Sequence, residues 1–331
     1  MILILKDEVS RENAESLATA VSGFLVREDS RWIIATSAKT NSIPIQFEDL
    51  VEKCLIFESD FQLSSKAYKP EKRVLKIGSI SLGDNRSTVL IAGPCAIENF
   101  SQLEETAHFV KSLGVKILRA GAYKPRTSPY TFQGLGFEGL KMLAKIKELL
   151  GLLIITEVRD ATHLNEVAEI SDIIQIGAKA MYDHAILRFC GKSTKPILLK
   201  RHFGATLQEF LQAAEFILSL GNFNVILCER GIRTFETKTR FTLDLCGVMY
   251  LKEHCNLPIV IDPSHAMGHA YGVPDLAKAC FALGVDGIMV EVHPNPKAAM
   301  SDAEQQLSFS QFSQLVKDLH ELSKVMRREI R

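Results

Sequence analysis

Residues 137–158 read FEGLKMLAKIKELLGLLIITEV. Phe137 to Leu150 has the spacing of an amphipathic helix, and Gly151 stops it. Leu152 to Val158 follows as a short apolar run ending in Thr156-Glu157. Such a run, rich in Leu and Ile, is what a parallel strand covered on both faces looks like. The same strand-then-helix alternation spreads outward in both directions from Ser87 onward, eight times over. The strands it predicts are Thr88–Gly93, Lys116–Ala120, Leu152–Val158, Asp172–Gly177, Pro196–Arg201, Val225–Glu229, Pro258–Asp262 and Gly287–Val292. Helices fall between them, as at Leu207–Leu220 and Val273–Leu283, and a last one covers Phe309–Arg328. Several stop at glycine: Gly114, Gly151, Gly221 and Gly284. Eight such units fit the α/β class and a (β/α)₈ TIM barrel, which takes about 250 residues. A doubly wound open sheet is the structural alternative.

The chain has 331 residues, room for one large domain with a small one beside it. Ahead of the alternation the pattern differs. Ile2–Lys6, Phe24–Arg27, Trp32–Thr36 and Leu55–Glu58 read as strands, with helices at Glu12–Phe24 and Phe47–Cys54. That βαββαβ order is the ferredoxin-like arrangement, a small α+β module. The expected division is therefore 1–68 for this module, 69–86 for a linker and hairpin, and 87–331 for the barrel. Ser64–Arg73 reads as a polar, Pro-containing linker that lets the module move against the barrel mouth. Val74–Gly83 reads as the hairpin.

Lys plus Arg equals Asp plus Glu at 39 each, so no bulk charge draws the chain to nucleic acid or a membrane surface. Hydrophobic residues make up 47%, enough for a sizeable core, yet no run reaches membrane length. Met1–Leu5 is too short for a signal peptide. Seven scattered cysteines with no C-x-x-C pair read as reduced thiols in a cytoplasmic protein.

In a barrel, chemistry sits at the carboxyl ends of the strands. Four of those ends supply cations: Arg119 and Lys124, Lys179, Lys200 and Arg201, and Arg230 and Arg233. Arg119 and Lys124 open the segment LRAGAYKPRTSPY, residues 118–130, where Pro125 and Pro129 stiffen a loop that also holds Arg126, Thr127 and Ser128. So many cations at one mouth imply an anionic ligand carrying phosphate and carboxylate, with a share of them paired to Glu157 and Glu229. The remaining ends supply Cys95, His265, Glu291 and Asp302. No spacing motif joins these four. Barrel closure would bring them together as a divalent transition-metal site of mixed softness. Singly, each has an ordinary reading as a buried thiol, a loop imidazole or a capping carboxylate.

These motifs in order are IAGPCAIE (91–98), LRAGAYKPRTSPY, IIQIGA (173–178), LLKR (198–201), CERGIRT (228–234), DPSH (262–265) and VEVHPNP (290–296). Together they resemble 3-deoxy-D-arabino-heptulosonate 7-phosphate (DAHP) synthase, in the compact branch shared with 3-deoxy-octulosonate 8-phosphate synthase. The resemblance implies a (β/α)₈ barrel, a homotetramer, and condensation of phosphoenolpyruvate with erythrose 4-phosphate, the first step of the shikimate pathway. It implies a divalent metal ion (Mn²⁺, Fe²⁺, Zn²⁺ or similar) on Cys95, His265, Glu291 and Asp302. It implies phosphoenolpyruvate contacts at Arg119, Lys124, Lys200 and Arg230, with Lys179 where the family usually has Arg. Arg126 and Thr127 would hold the sugar phosphate. Glu157 and Lys200 would serve the water that adds to the enol phosphate, with Lys124 near the aldehyde oxygen. His269 stands where Arg or Lys is common. The ferredoxin-like module would take an aromatic amino acid effector. Two alternatives remain open: octulosonate 8-phosphate synthase, whose members carry an Asn before the R-T-S that this chain lacks, and a non-catalytic barrel acting as a regulatory subunit.

Overall fold

The computed structural model describes residues 1–124 and 128–331. Eight parallel strands close on themselves: β7 (Ser87–Gly93), β8 (Ile117–Arg119), β9 (Leu153–Val158), β10 (Ile173–Ile176), β11 (Ile197–Lys200), β12 (Val225–Glu229), β13 (Ile259–Ile261) and β14 (Gly287–Glu291). Each pairs in parallel with the next, and β14 returns to β7 with Glu291 opposite Gly93. Closure is the feature that separates this fold from the open-sheet alternative. The observed strands sit within a residue or two of the expected ones.

Side-chain parity explains what faces inward. Successive residues of a strand point to opposite faces. Val89, Ile91, Ile117, Ile155, Ile173, Leu198, Ile226, Cys228, Val260 and Met289 form one buried cluster inside the barrel. Two residues further along each strand, the same face carries Arg119, Glu157, Gln175, Lys200, Arg230, Asp262 and Glu291. The interior is thus apolar at the amino end and charged at the carboxyl end. A hairpin, β5 (Leu75–Ile77) and β6 (Ile80–Leu82), plugs the amino end, and its four apolar residues join the interior cluster.

The opening residues make a four-stranded antiparallel sheet in the order β2-β3-β1-β4, from β1 (Ile2–Leu5), β2 (Phe24–Glu28), β3 (Arg31–Ala35) and β4 (Val51–Leu55), with helix α1 (Arg11–Ala20) on one face. One correction falls here. Phe47–Cys54 is not a helix: a 3₁₀ turn covers Ile45–Leu50, and Val51–Leu55 is the edge strand. Cys54 pairs with Leu3 and Lys53 with Ile4, so the backbone is spent on the sheet. Glu52, Lys53 and Cys54 lie exposed on this edge, which left no apolar alternation to read. Leu3, Leu5 and Ile34 face α1, while Ile2, Val26, Ile33 and Ala35 belong to the cluster that surrounds the barrel strands. The barrel therefore covers the second face of the small sheet.

The stretch 64–73 is not a loose tether. Ser64, Ser65 and Arg73 are buried. Lys66 N–H donates to His254 C=O at 2.9 Å and Asn256 N–H to Ser64 C=O at 2.8 Å, at the end of helix α7 (Leu245–His254). Arg73 donates to Asn256 Oδ1 at 3.1 Å and pairs with Glu28 of β2. These anchors lie where α7 hands over to β13, at the amino end of the barrel. The small sheet thus sits away from the mouth, against the expectation of a module free to swing over it. Glu215, on α6 (Leu207–Leu218), completes the attachment. Its carboxylate accepts from the backbone N–H groups of Gln62 and Leu63 at 3.0 Å each, of Ser64 at 2.7 Å, and from the Ser64 hydroxyl. Glu215→Ala strands three backbone donors and is expected to lower unfolding stability by about 2–3 kcal/mol. A urea midpoint equal to wild type would show that water replaces the carboxylate at no cost.

Candidate active site

Cys95 follows β7, His265 lies on the short helix α8 (Pro263–Met267) after β13, Glu291 ends β14, and Asp302 sits on the loop beyond it. One ligand atom from each lies within 4.8 Å of the others. A thiol, an imidazole and two carboxylates in that space suit a divalent transition ion better than Ca²⁺ or Mg²⁺, which prefer all-oxygen sites. The surroundings fit as well. Asp262 Oδ2 is 2.8 Å from His265 Nδ1, which leaves Nε2 facing Glu291 at 3.5 Å. Burial keeps the His265 pKa below its ordinary value despite the two carboxylates. Burial and Glu291 push the Cys95 thiol up to about 12, with Lys124 pulling the other way. Metal uptake would therefore release a proton from this thiol.

The thiol and the carboxylates each lie beside a cation. Lys124 Nζ is 2.9 Å from Cys95 Sγ and 2.8 Å from the Cys95 carbonyl. Arg119 Nη1 is 2.8 Å from Glu291 Oε1, and its Nη2 is 3.6 Å from Glu157. Burial works against the Arg119 charge, but Glu291 and Cys95 outweigh it and hold the guanidinium protonated. Lys200 Nζ pairs with Asp262 at 2.5 Å. Opposing that desolvation, His265 and Lys200 keep Asp262 well below the usual carboxylate range.

Beside the cluster one cavity opens at the barrel mouth. Its lining includes Lys124, Glu157, Lys179, Lys200, Arg230 and Arg233, with His265 and Asp302 on the metal side. Arg230 is almost wholly buried, stacks on Phe241 at 4.3 Å, and its Nη1 has no hydrogen-bond partner among the described residues. Burial lowers its pKa from the ordinary arginine value. A buried cation that lines a cavity, with one guanidinium nitrogen not hydrogen-bonded among the described residues, suits reception of an anion there.

Arg201 is the cation that does not belong. It has the opposite parity to Lys200, points out of the barrel, and pairs with Glu229 at 3.0 Å and Asp244 at 2.8 Å. Arg126 and Thr127 lie outside the described residues. His269 stands at the rim, 3.4 Å from Glu304, and does not line the main cavity.

Sequence reasoning missed the amides. Gln175 receives Arg119 Nε at 3.1 Å and donates to Glu157 at 2.8 Å, bridging the two. Gln306 accepts the Cys95 backbone N–H at 3.0 Å, and Gln305 donates to Glu291 at 2.6 Å. The signal for Gln175 was its parity with Arg119 and Glu157. Gly177 was legible only in space: a Cβ there would stand 2.0 Å from Glu157 Oε1, so any side chain would displace that carboxylate.

No described helix is long and apolar enough to cross a membrane. Residues 60–328 match the DAHP synthetase I family. A phospho-2-dehydro-3-deoxyheptonate aldolase of Thermotoga maritima is 45% identical over 295 residues, 89% of this chain and 85% of that one. A 2-dehydro-3-deoxyphosphooctonate aldolase of Fusobacterium nucleatum is 30% identical over 271 residues, 76% of this chain and 96% of that one. The crystal structure of the Thermotoga maritima DAHP synthase superposes with a TM-score of 0.82 at 40% identity, covering 100% of this chain and 99% of that one. A truncated form of the Thermotoga enzyme covers 81% of this chain and 98% of that one, with a TM-score of 0.76 at 42% identity. With the cation-lined cavity and the four-residue cluster side by side at the mouth of a closed barrel, this chain belongs to the DAHP synthetase I family.

Proposed function

We propose that the chain is a DAHP synthase, joining phosphoenolpyruvate to D-erythrose 4-phosphate to give DAHP and phosphate. One observation carries this reading: the cavity lined by Arg230, whose Nη1 has no hydrogen-bond partner among the described residues, also borders His265 and Asp302. Arg230, Lys200, Lys179 and Lys124 clamp the phosphate and carboxylate of phosphoenolpyruvate, with Arg119 behind them, so the methylene carbon is held toward the aldehyde. Cys95, His265, Glu291 and Asp302 would hold a divalent ion, which would supply Lewis-acid polarisation of the aldehyde oxygen. Lys124, between Cys95 and the cavity, stands ready to give that oxygen a proton. Carbon–carbon bond formation leaves positive charge on the second carbon of the enol phosphate. Glu157 takes a proton from the water that adds there, and phosphate leaves from the resulting hemiketal. Lys200, tied to Asp262, acts as a fixed cation more than as a base. Arg126 and Thr127 are assigned to the sugar phosphate.

Octulosonate 8-phosphate synthase is the second reading, since relatives at 30% identity bear that activity in their names. Carbon arithmetic separates the two. A seven-carbon product needs a four-carbon aldehyde, and an eight-carbon product a five-carbon one. Consumption of phosphoenolpyruvate with erythrose 4-phosphate and not with a pentose 5-phosphate is the expected result. The reverse preference would move the chain to the second reading, and no consumption with either would favour a non-catalytic barrel.

The division into a regulatory unit at 1–68, a linker and hairpin at 69–86 and a catalytic barrel at 87–331 belongs to the same proposal. So do a cytoplasmic homotetramer and Mn²⁺, Fe²⁺ or Zn²⁺ as the ion. The small sheet contributes nothing to the lining of the mouth cavity. Tyrosine or phenylalanine at millimolar-order concentration is expected to inhibit the intact chain and to leave a chain lacking residues 1–68 active and insensitive. Inhibition of both forms alike would place the effector on the barrel, and no inhibition of the intact chain would leave the sheet an assembly role.

A further inference from the structure

Arg240, on the loop after β12, has no part in the reaction as assigned above. Its Nη1 lies 3.1 Å from Asp302 Oδ1 and 2.6 Å from Gln305 Oε1. Gln305 passes the contact on, because its Nε2 donates to Glu291 Oε2 at 2.6 Å. With Gln305 Oε1 occupied by a guanidinium, its amide cannot flip without setting two acceptors face to face at Glu291. One side chain thus grips two of the four candidate ligands, one directly and one through an amide.

The oxygens that Arg240 and Gln305 do not hold are the ones that face the cluster, and of these Glu291 Oε1 also receives Arg119 Nη1 at 2.8 Å. Asp302 Oδ2 is 3.0 Å from Cys95 Sγ, and Glu291 Oε1 is 3.5 Å from His265 Nε2. Asp302 sits at φ +49°, in the left-handed region that a short polar side chain tolerates. Arg240 is itself fixed. Its backbone N–H donates to Met267 C=O at 3.1 Å, on the helix that carries His265. Its stem lies where Gly268, at φ +76°, would need a Cβ, 2.5 Å from Arg240 Cβ. The brace therefore ties the elements that carry His265, Glu291 and Asp302 to one another.

Charge bears on the same point. Of the thiol and the two carboxylates in the ligand set, Cys95 faces Lys124, Glu291 faces Arg119, and Asp302 faces Arg240. The first two cations serve the substrate clamp; Arg240 lines the same cavity, but its hydrogen bonds are made to the ligand set.

We propose that Arg240 is a positioning residue that, with Gln305, presets Asp302 and Glu291 to receive a divalent ion through one oxygen each. The proposal rests on the metal reading of the cluster. The test uses the full chain stripped of metal and titrated with Co²⁺ alone. Arg240→Met is expected to weaken Co²⁺ binding by about 10- to 100-fold, the usual effect of losing a group that orients a ligand. Arg240→Lys keeps the charge, but its shorter stem leaves the ammonium short of the place Nη1 holds between the two acceptors, and it is expected to lie nearer to Met than to wild type. Gln305→Leu should weaken binding too, and the double variant should be no worse than the weaker single, because both act along one path. The visible absorption of the Co²⁺ form should change its ligand-field bands while keeping the sulfur-to-cobalt band of Cys95. Co²⁺ binding by Arg240→Met as tight as wild type, or tighter because a like charge has gone, would overturn the proposal. So would fully additive losses in the double variant. Should Arg240→Met not fold, Arg240→Lys and Gln305→Leu carry the same comparison. Wild-type chain that binds no Co²⁺ would sink the metal reading itself, which is a separate result.

Discussion

Chelation of the purified chain is expected to take phosphoenolpyruvate consumption with erythrose 4-phosphate to background, and Mn²⁺, Zn²⁺ or Fe²⁺ to restore it. The cluster of Cys95, His265, Glu291 and Asp302 is the reason, since nothing else at the mouth can polarise an aldehyde as strongly as a bound cation. Cys95→Ala is the sharper version. Disturbing groups that only orient ligands already costs about 10- to 100-fold, so removing a ligand should cost more than a hundredfold. The fold should survive. Cys95 sits at the carboxyl end of β7, outside the apolar interior cluster, and Lys124 keeps its 2.8 Å bond to the residue 95 carbonyl whatever the side chain. Circular dichroism and the urea midpoint check the fold, and turnover at saturating metal checks the chemistry. Full turnover in metal-free protein would end the metal reading.

Arg230→Met is expected to separate binding from stability. Losing a charged hydrogen-bond partner costs about 1.5–3 kcal/mol, roughly tenfold to more than a hundredfold in affinity. The loss should appear in KM for phosphoenolpyruvate, with KM for erythrose 4-phosphate little changed. In the ligand-free chain the same substitution should do no harm, and is expected to raise the urea midpoint. A buried guanidinium whose Nη1 has no partner is a cost to the folded state, and Met fills the same place above Phe241 without it. Arg201→Met provides the contrast. Its guanidinium pairs with both Glu229 and Asp244 and donates to the Ala205 carbonyl, so its loss should destabilise the chain. A fall in the midpoint of Arg230→Met, or equal effects on both substrates, would mean that Arg230 is a structural cation and not a receptor.

The strand ends were legible because parallel strands buried on both faces leave long apolar runs, and the helices between them end at glycines. The residues that reach the mouth were also legible, since Ile117 to Arg119, Ile155 to Glu157, Leu198 to Lys200 and Met289 to Glu291 are each a step of two along one face. The same rule excludes Arg201, and counting parity along Leu198–Arg201 would have removed it from the cation group. The edge strand β4 was not legible, because an edge with Glu52, Lys53 and Cys54 exposed carries no apolar alternation. Nor was the attachment of residues 64–73, whose polar composition reads as a linker until Glu215 and Asn256 meet it from far along the chain.

What the sequence by itself determined is the alternation that makes a barrel and the set of charged residues at its carboxyl end. These follow from local periodicity, which a linear chain records. What only the tertiary structure decided is which charges answer one another. Lys200 is neutralised by Asp262, Arg119 by Glu291 and Arg240 by Asp302, while Arg230 Nη1 has no hydrogen-bond partner among the described residues. Pairing depends on distances of about three ångströms between residues up to 172 positions apart. Barrel closure sets those distances, and neither composition nor spacing along the chain contains them.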